Sequence, residues 1–200
     1  MFTLKGSMIK FAILVRHGES LSNTLNIVSS DLGKYPLTDK GKNQVLRAGN
    51  ELKKLNIDAI LSSPIMRARE TAQIISSILN VPYKTDDRLM EIGFGKFNNG
   101  PFQNTPKFTY ESKEIEPWES IEKRMLSILN DYSGNVVLVS HAFPIRVLIA
   151  HFLRLGENES FGISISNAGI SAVDVPNGNV LAIGSPVTTE NMINQINGKS

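Results

Sequence analysis

Two histidines, two arginines and one glutamate are the residues of this chain whose types and settings suit joint chemistry. Arg16 and His17 close the stretch "FAILVRHGES", in which five apolar residues stop at a fixed positive charge beside a titratable ring. Arg67 lies in "SSPIMRARE", His141 follows "NVVLVS", and Glu91 belongs to "DRLMEIGFG". These types fit one ligand, a phosphate group. Arginine holds phosphoryl oxygens bidentately and keeps its charge. A neutral imidazole is a nucleophile toward phosphorus, and cationic neighbours keep it neutral. A carboxylic acid such as Glu91 could protonate the leaving oxygen. Gly18 is expected to let the backbone approach the ligand.

Taken singly, each residue has an ordinary explanation. A lone buried histidine is more often a core residue than a catalyst, and a glutamate in a loop is most often surface. What joins them is the pattern of elements. Ile9–Val15, Ile57–Leu61 and Asn135–Ser140 are short apolar runs of the kind that form strands buried on both faces. Each is followed by a helical pattern. The first starts at Thr38 as cap, with Val45, Leu46, Gly49, Leu52 and Leu55 at helical spacing. The second has Ser63 as cap and Pro64 as first helical residue, and the third spans Phe143–Leu155. A further helix is expected over Trp118–Leu129. Strand-rich runs around Ile163 and over Ile170–Val175 lead through the turn "PNGN" to "VLAIG".

This order predicts an α/β protein, a three-layer α/β/α sandwich on a mostly parallel central sheet. One domain over residues 1–200 is expected, with 1–8 and 186–200 at its periphery. In such sheets ligands bind beyond the carboxyl ends of the strands. Arg16 and His17, Arg67, and His141 all follow such ends. His151 falls inside a helix and is read as structural.

Composition narrows the function classes. The net charge is +2 and no basic block occurs, which leaves nucleic-acid binding without support. The chain has no cysteine, so thiolate metal sites, disulfides and cysteine nucleophiles are excluded. Lys10 interrupts the first apolar segment and Arg16 ends it, too soon for a secretion signal or a membrane span. A cytoplasmic protein is expected.

Five ordered blocks, "VRHGESLSN", "LTDKGKNQ", "LSSPIMRARETA", "RLMEIGFG" and "VVLVSHAFPIR", resemble the histidine phosphatase superfamily, in its phosphoglycerate mutase-like branch. The resemblance spans about residue 9 to residue 175. It implies that His17 accepts the phosphoryl group and that Arg16, Arg67 and His141 complete the phosphate pocket. Glu91 then serves as acid and base, Asn23 contacts phosphate, and no metal or other cofactor is needed. Two positions depart from the family pattern: Ala142 stands where glycine is usual, and the last glycine of "FGKFNNG" comes one place late.

The short stretch between Glu91 and His141 leaves little material to shield a phosphoenzyme from water. The expectation is therefore a metal-independent phosphomonoester hydrolase. The alternatives are a cofactor-dependent phosphoglycerate mutase, or a catalytically weak protein that binds phospho-ligands. Phe94, Phe97, Phe102, Phe108 and Tyr110 in that stretch could wall the substrate's organic part or simply pin the loop. The expected partner is a small phosphorylated substrate, with a phosphoprotein also open. The apolar hairpin near the C-terminus could supply a homodimer interface.

Overall fold

The computed structural model describes residues 8–198. Six strands form one sheet: β1 (Ile9–Arg16), β2 (Ala59–Ser62), β3 (Tyr83–Thr85), β4 (Gly134–Ser140), β5 (Ile170–Asp174) and β6 (Asn179–Ser185). Their order is β3-β2-β4-β1-β5-β6. The β3-β2-β4-β1 portion is parallel, and β5 and β6 close one side antiparallel. The expected mostly parallel α/β architecture is present.

Helices cover both faces because the central strands are apolar on both. The helices are α1 (Leu21–Thr24), α2 (Asp39–Leu52), α3 (Met66–Leu79), α4 (Trp118–Leu129), α5 (Ala142–Leu153), α6 (Glu157–Ser160) and α7 (Glu190–Asn197). Successive residues of a strand point to opposite faces. Ala12 and Leu14 of β1, with Val136 and Leu138 of β4, join the core under α4 and α5. Ile13, Val15, Val137 and Val139 join the core under α2, α3 and α7. None of the described helices is long and apolar enough to cross a membrane.

Register positions the chemistry. Arg16 pairs with Ser140, and Ser62 pairs with Val139. The His17 N–H donates to the Ser140 carbonyl at 3.0 Å, and the Ser63 N–H to the Val139 carbonyl at 2.9 Å. His17, Ser63 and His141 therefore leave three adjacent parallel strands at one level.

Several local expectations need correction. Thr38 does cap α2, accepting from the Gly41 N–H at 3.0 Å, but Leu46 is 45% exposed while Val45, Ala48 and Leu52 are buried. The stripe runs one position away from Leu46 on the helical wheel. Helix α3 begins at Met66 rather than Pro64, and its N-cap, Ile65, makes no side-chain cap bond. The Ser63 hydroxyl also faces His141, as shown below. No strand forms around Ile163, which lies between α6 and β5. The segment after Ser185, expected at the periphery, contains α7, whose Met192 and Ile196 are 0% and 2% exposed. Asn135 binds the Ile196 carbonyl at 3.1 Å, and Asn197 accepts from the Asn56 N–H at 2.8 Å. Of residues 1–8, only Met8 falls among those described.

Candidate active site

His17 is 2% exposed and its ring is oriented from both sides. Nδ1 lies 2.7 Å from the Gly18 carbonyl, which can only accept, so Nδ1 carries the proton. Nε2 is left with its lone pair, which accepts from Arg67 Nε at 3.1 Å. The backbone around the ring is pinned as well. The His17 carbonyl accepts from the Ala168 N–H at 3.1 Å and from Asn167 Nδ2 at 3.3 Å. The Gly18 N–H donates to Thr71 Oγ1 at 3.2 Å.

Gly18 has a task within the protein itself. A Cβ there would stand 2.6 Å from the Gly41 carbonyl and 2.8 Å from a Val45 methyl. The missing side chain admits the start of α2, which buttresses the His17 loop; the close approach is to protein backbone.

His141 is fully buried beside His17, with ring centroids 5.1 Å apart. Its Nε2 is 2.9 Å from Ser63 Oγ. That oxygen already accepts the Ile65 N–H at 3.2 Å, so its hydrogen is available to His141 Nε2. In the tautomer that uses this donor, the His141 proton sits on Nδ1.

Arg67, second residue of α3, donates through Nη2 to the Ser29 carbonyl at 2.8 Å. Arg16 donates through Nη1 to the Ile165 carbonyl at 2.7 Å. Among the described residues, three buried side-chain nitrogen or oxygen atoms lack a hydrogen-bond partner: Arg16 Nε, Arg67 Nη1 and His141 Nδ1. Buried polar atoms are rarely left unpaired, and here the three belong to neighbouring groups around one histidine.

Glu91 reaches the same place from the loop after β3. Its Oε1 accepts its own chain's Ile92 N–H at 3.0 Å. Arg124 of α4 holds the loop, donating to the Arg88 carbonyl at 2.5 Å and to the Glu91 carbonyl at 3.5 Å, and it pairs with Glu116 at 2.8 Å. Glu116 in turn accepts the Gly93 N–H at 3.0 Å. Asn23 spends its Oδ1 on Ser20 N–H, Ser20 Oγ and Asn167 Nδ2, at 3.0, 3.1 and 3.2 Å. Its amide NH₂ is what remains for a ligand.

Burial dominates the electrostatics. It pushes His17 well below the usual histidine range, with Arg67 and Arg16 adding to the shift and the Gly18 carbonyl opposing it. His141 is lowered by burial, then by Arg67 and His17. Burial brings Arg67 down to about 10 against the pull of Glu91, which still leaves it charged at neutral pH. Glu91 is raised by burial, with Arg67 the largest opposing influence. The site thus keeps its histidines neutral, its arginines charged and its carboxyl inclined to hold a proton.

Arg16, His17, Asn23, Arg67 and Glu91 all line a cavity of about 550 Å³. His141 lies outside its wall, against His17. Of the five aromatics singled out in the sequence, Phe94, Phe102 and Phe108 line the cavity. Phe97 packs on the core and Tyr110 is exposed, bonded to Asn158 at 3.1 Å. The displaced glycine of "FGKFNNG" also has a physical meaning. Asn99 takes the left-handed conformation at φ 63°, and Asn98 and Asn99 clasp Asp31 at 2.6 and 2.9 Å. That clasp ties the cavity's cover to the loop that anchors Arg67.

The family model for the histidine phosphatase superfamily (branch 1) matches residues 12–183. The chain belongs to this superfamily. A 2,3-bisphosphoglycerate-dependent phosphoglycerate mutase of Thermoplasma acidophilum is 40% identical over 199 residues, covering 94% of this chain and 99% of the relative. Among solved structures, Bacillus stearothermophilus YhfR superposes with TM-score 0.78 at 23% identity, over 88% of this chain and 96% of its own. A phosphoserine phosphatase from Entamoeba histolytica, in complex with 3-phosphoglyceric acid, gives TM-score 0.75 at 24% identity, over 91% and 98%. At those identities the two structures establish the fold. Members of the superfamily include both mutases and phosphatases, and an enzyme is what membership supports.

Sequence reasoning missed four residues that shape this histidine phosphatase site: Ser63, Asn167, Ser29 and Arg146. Ser63 carried a signal, but the adjacent proline made it read as a helix cap. Asn167 and Ser29 act through positions that only the folded chain brings near His17, and no local pattern marks them.

Proposed function

We propose that this histidine phosphatase superfamily member transfers the phosphoryl group of a small phosphomonoester to His17 Nε2, and from there to water. The observation that carries the reading is the set of three unpartnered buried nitrogens on Arg16, Arg67 and His141, the groups that neighbour His17. Phosphoryl oxygens are acceptors that would satisfy all three.

In the first step Nε2 attacks phosphorus, the ester P–O bond breaks, and the leaving oxygen takes the proton held by Glu91. Arg67 Nε, which donates to Nε2 before substrate arrives, turns to a phosphoryl oxygen, a stronger acceptor. Arg16, Arg67 and the Asn23 amide, which line the cavity, neutralise or hydrogen-bond the transferring group, and His141, buried against His17, reaches it only as the group seats on Nε2. In the second step Glu91, now a carboxylate, takes a proton from water as its oxygen attacks phosphorus and the N–P bond breaks. The products are inorganic phosphate and neutral His17. Fixed arginine charge supplies what a divalent cation supplies elsewhere, so the reaction proceeds without metal.

The cavity has room for water as final acceptor. Each water takes a share of about 30 Å³, so roughly 550 Å³ admits a small phosphomonoester and water beside it. A second reading, phosphoglycerate mutase, is favoured by the Thermoplasma acidophilum relative, which carries that name at nearly full coverage of both chains. A chain without a long covering insertion is thus compatible with the mutase reading.

The test is phosphate release from a panel of phosphomonoesters in EDTA, with 3-phosphoglycerate isomerisation followed in parallel and His17→Ala as control. Metal-free release that vanishes in the variant supports the hydrolase. Isomerisation outrunning release supports the mutase. Neither activity, with phosphate analogues still binding, would point to a ligand-binding protein.

A further inference from the structure

Glu91 lies between β3 and α4, outside every strand, so the backbone groups around it must find partners other than a sheet ladder. One residue of α4 supplies several of them. Arg124 donates through Nη1 to the Arg88 carbonyl at 2.5 Å and through Nη2 to the Glu91 carbonyl at 3.5 Å. The same guanidinium pairs with Glu116 through both prongs, Nε to Oε1 at 2.8 Å and Nη2 to Oε2 at 3.1 Å. Glu116 then holds the chain beyond the acid. Its Oε2 accepts the Gly93 N–H at 3.0 Å, and its own N–H donates to the Gly93 carbonyl at 2.8 Å. One ion pair thus grips the chain before Glu91, at it and after it. The pair is well shielded, with 17% of the Arg124 side chain and 20% of the Glu116 side chain exposed. Two parallel charge-assisted bonds fix the geometry of such a pair.

Fixing this backbone fixes the carboxyl. Glu91 Oε1 accepts the Ile92 N–H at 3.0 Å, so the acid is folded against its own loop and moves with it. Beneath the loop, Ser140 Oγ donates to the Leu89 carbonyl at 2.7 Å, and Ser140 directly precedes His141. The acid is therefore referred to α4 on one side and to the end of β4 on the other. Glu91 and Ile92 line the cavity, whereas Arg124 and Glu116 do not. Whatever the ion pair does for the reaction, it does through the loop. The Arg124 charge also opposes the upward push of burial on the Glu91 carboxyl. Losing that charge alone would favour the protonated acid. A loss of acid catalysis on its removal would therefore report displacement of the carboxyl.

We propose that Arg124 and Glu116 are positioning residues for the acid: their ion pair holds Glu91 within reach of the leaving oxygen, and the reaction needs it only where that oxygen must be protonated. This rests on the reading of Glu91 as general acid. Neither residue touches substrate. Displacing a reacting group by about 1 Å costs about 100-fold in rate, so a clamp outside the cavity governs turnover as firmly as a group inside it.

The test compares kcat/KM on glycerol 3-phosphate, whose alkoxide leaving group needs a proton, with kcat/KM on 4-nitrophenyl phosphate, whose phenolate does not. In a double displacement this constant reads the transfer to His17 alone. Arg124→Gln should lower it about 10- to 100-fold on glycerol 3-phosphate and spare 4-nitrophenyl phosphate. Glu116→Gln should shift the ratio the same way, and Arg124→Lys should restore part of it. Lys123→Gln, which removes an exposed charge from the same helix, should keep the parent ratio. In a Glu91→Gln background, Arg124→Gln should change the ratio no further, because the group it positions is gone. An arginine with a structural role alone would lower both substrates together, or act equally in both backgrounds. Either result, in a variant folded by circular dichroism, overturns the proposal. If Glu91→Gln does not discriminate between the two substrates, or neither turns over, the reading of the site fails separately. Amide hydrogen exchange then decides the clamp. Arg124→Gln should speed exchange at Ile92 and Gly93 by about tenfold or more and leave Val137 of β4 unchanged; unaltered rates at Ile92 and Gly93 overturn it.

Discussion

Replacing Ser63 by alanine removes a hydroxyl that touches no substrate, yet its effect on rate follows from the hydrogen-bond network. Ser63 Oγ lies 2.9 Å from His141 Nε2 and takes the Ile65 N–H at 3.2 Å. Both rings and the serine are buried, at 0% exposure for Ser63 and His141 and 2% for His17. Without the hydroxyl, His141 Nε2 loses its donor and the imidazole is free to move its proton there. The Nδ1–H proposed to face the phosphoryl group would then be partly lost. A buried polar group left unsatisfied costs about 1–3 kcal/mol. Applied to the transition state, that lowers kcat by about 5- to 150-fold. The orphaned Ile65 N–H subtracts a similar ~1–3 kcal/mol from folding stability. The assay is burst kinetics on 4-nitrophenyl phosphate, joined to ¹⁵N NMR of the histidine tautomers. Ser63→Cys, with a weak S–H donor, should recover part of the rate. A folded Ser63→Ala enzyme with wild-type burst rate and His141 still protonated at Nδ1 would refute the reasoning.

Three further outcomes follow from the site and the fold. Glu91→Gln should reduce turnover of alkyl phosphates by about 10²–10⁴-fold, the usual worth of a general acid, and cost far less on 4-nitrophenyl phosphate; equal losses on both would remove Glu91 from the acid role. Because His17 and His141 are held below the ordinary histidine value, the unfolded chain binds more protons than the folded one as pH falls through about 6.5. Stability therefore declines below that pH, by up to about 1.4 kcal/mol per pH unit for each histidine. Glu91, raised by burial, acts in the opposite sense just above its ordinary value. Urea midpoints between pH 8 and pH 5 should fall less steeply in His17→Asn than in the parent, and parallel curves would contradict the assignment. Finally, Met192→Ala should cost about 2–5 kcal/mol, read as a lower melting temperature, since Met192 is fully buried under the sheet; an unchanged melt would mean that α7 contributes nothing to the core.

Much of this protein was legible from its sequence, for a definite reason. Phe11–Val15 and Val136–Val139 are apolar on every residue, and only a strand covered on both faces buries such a run, so the layered sheet follows. A residue at the end of a parallel strand has its level set by the ladder, which is why Arg16, His17 and His141 could be placed together. Arg67 was placed by the helix that follows its strand, and Glu91 by its motif. Thr38 worked as a cap because capping is local.

Tertiary structure alone decided the rest, because the deciding partners lie far apart in the chain. Ser63 bonds His141 as well as the Ile65 N–H at the start of its own helix, since a buried imidazole needs a partner. Gly18 is demanded by the carbonyl of Gly41, and Asn167 reaches His17 from the turn before the neighbouring strand β5. Polar as the C-terminal segment is, Met192 and Ile196 join the core that α2 and α3 form with β1 and β4. Arg124 reads as one more helical arginine until the fold sets the Arg88 and Glu91 carbonyls against it. The sequence determined which groups the sheet would carry to its edge; the packing of distant segments determined which hydrogens and charges those groups have left to offer.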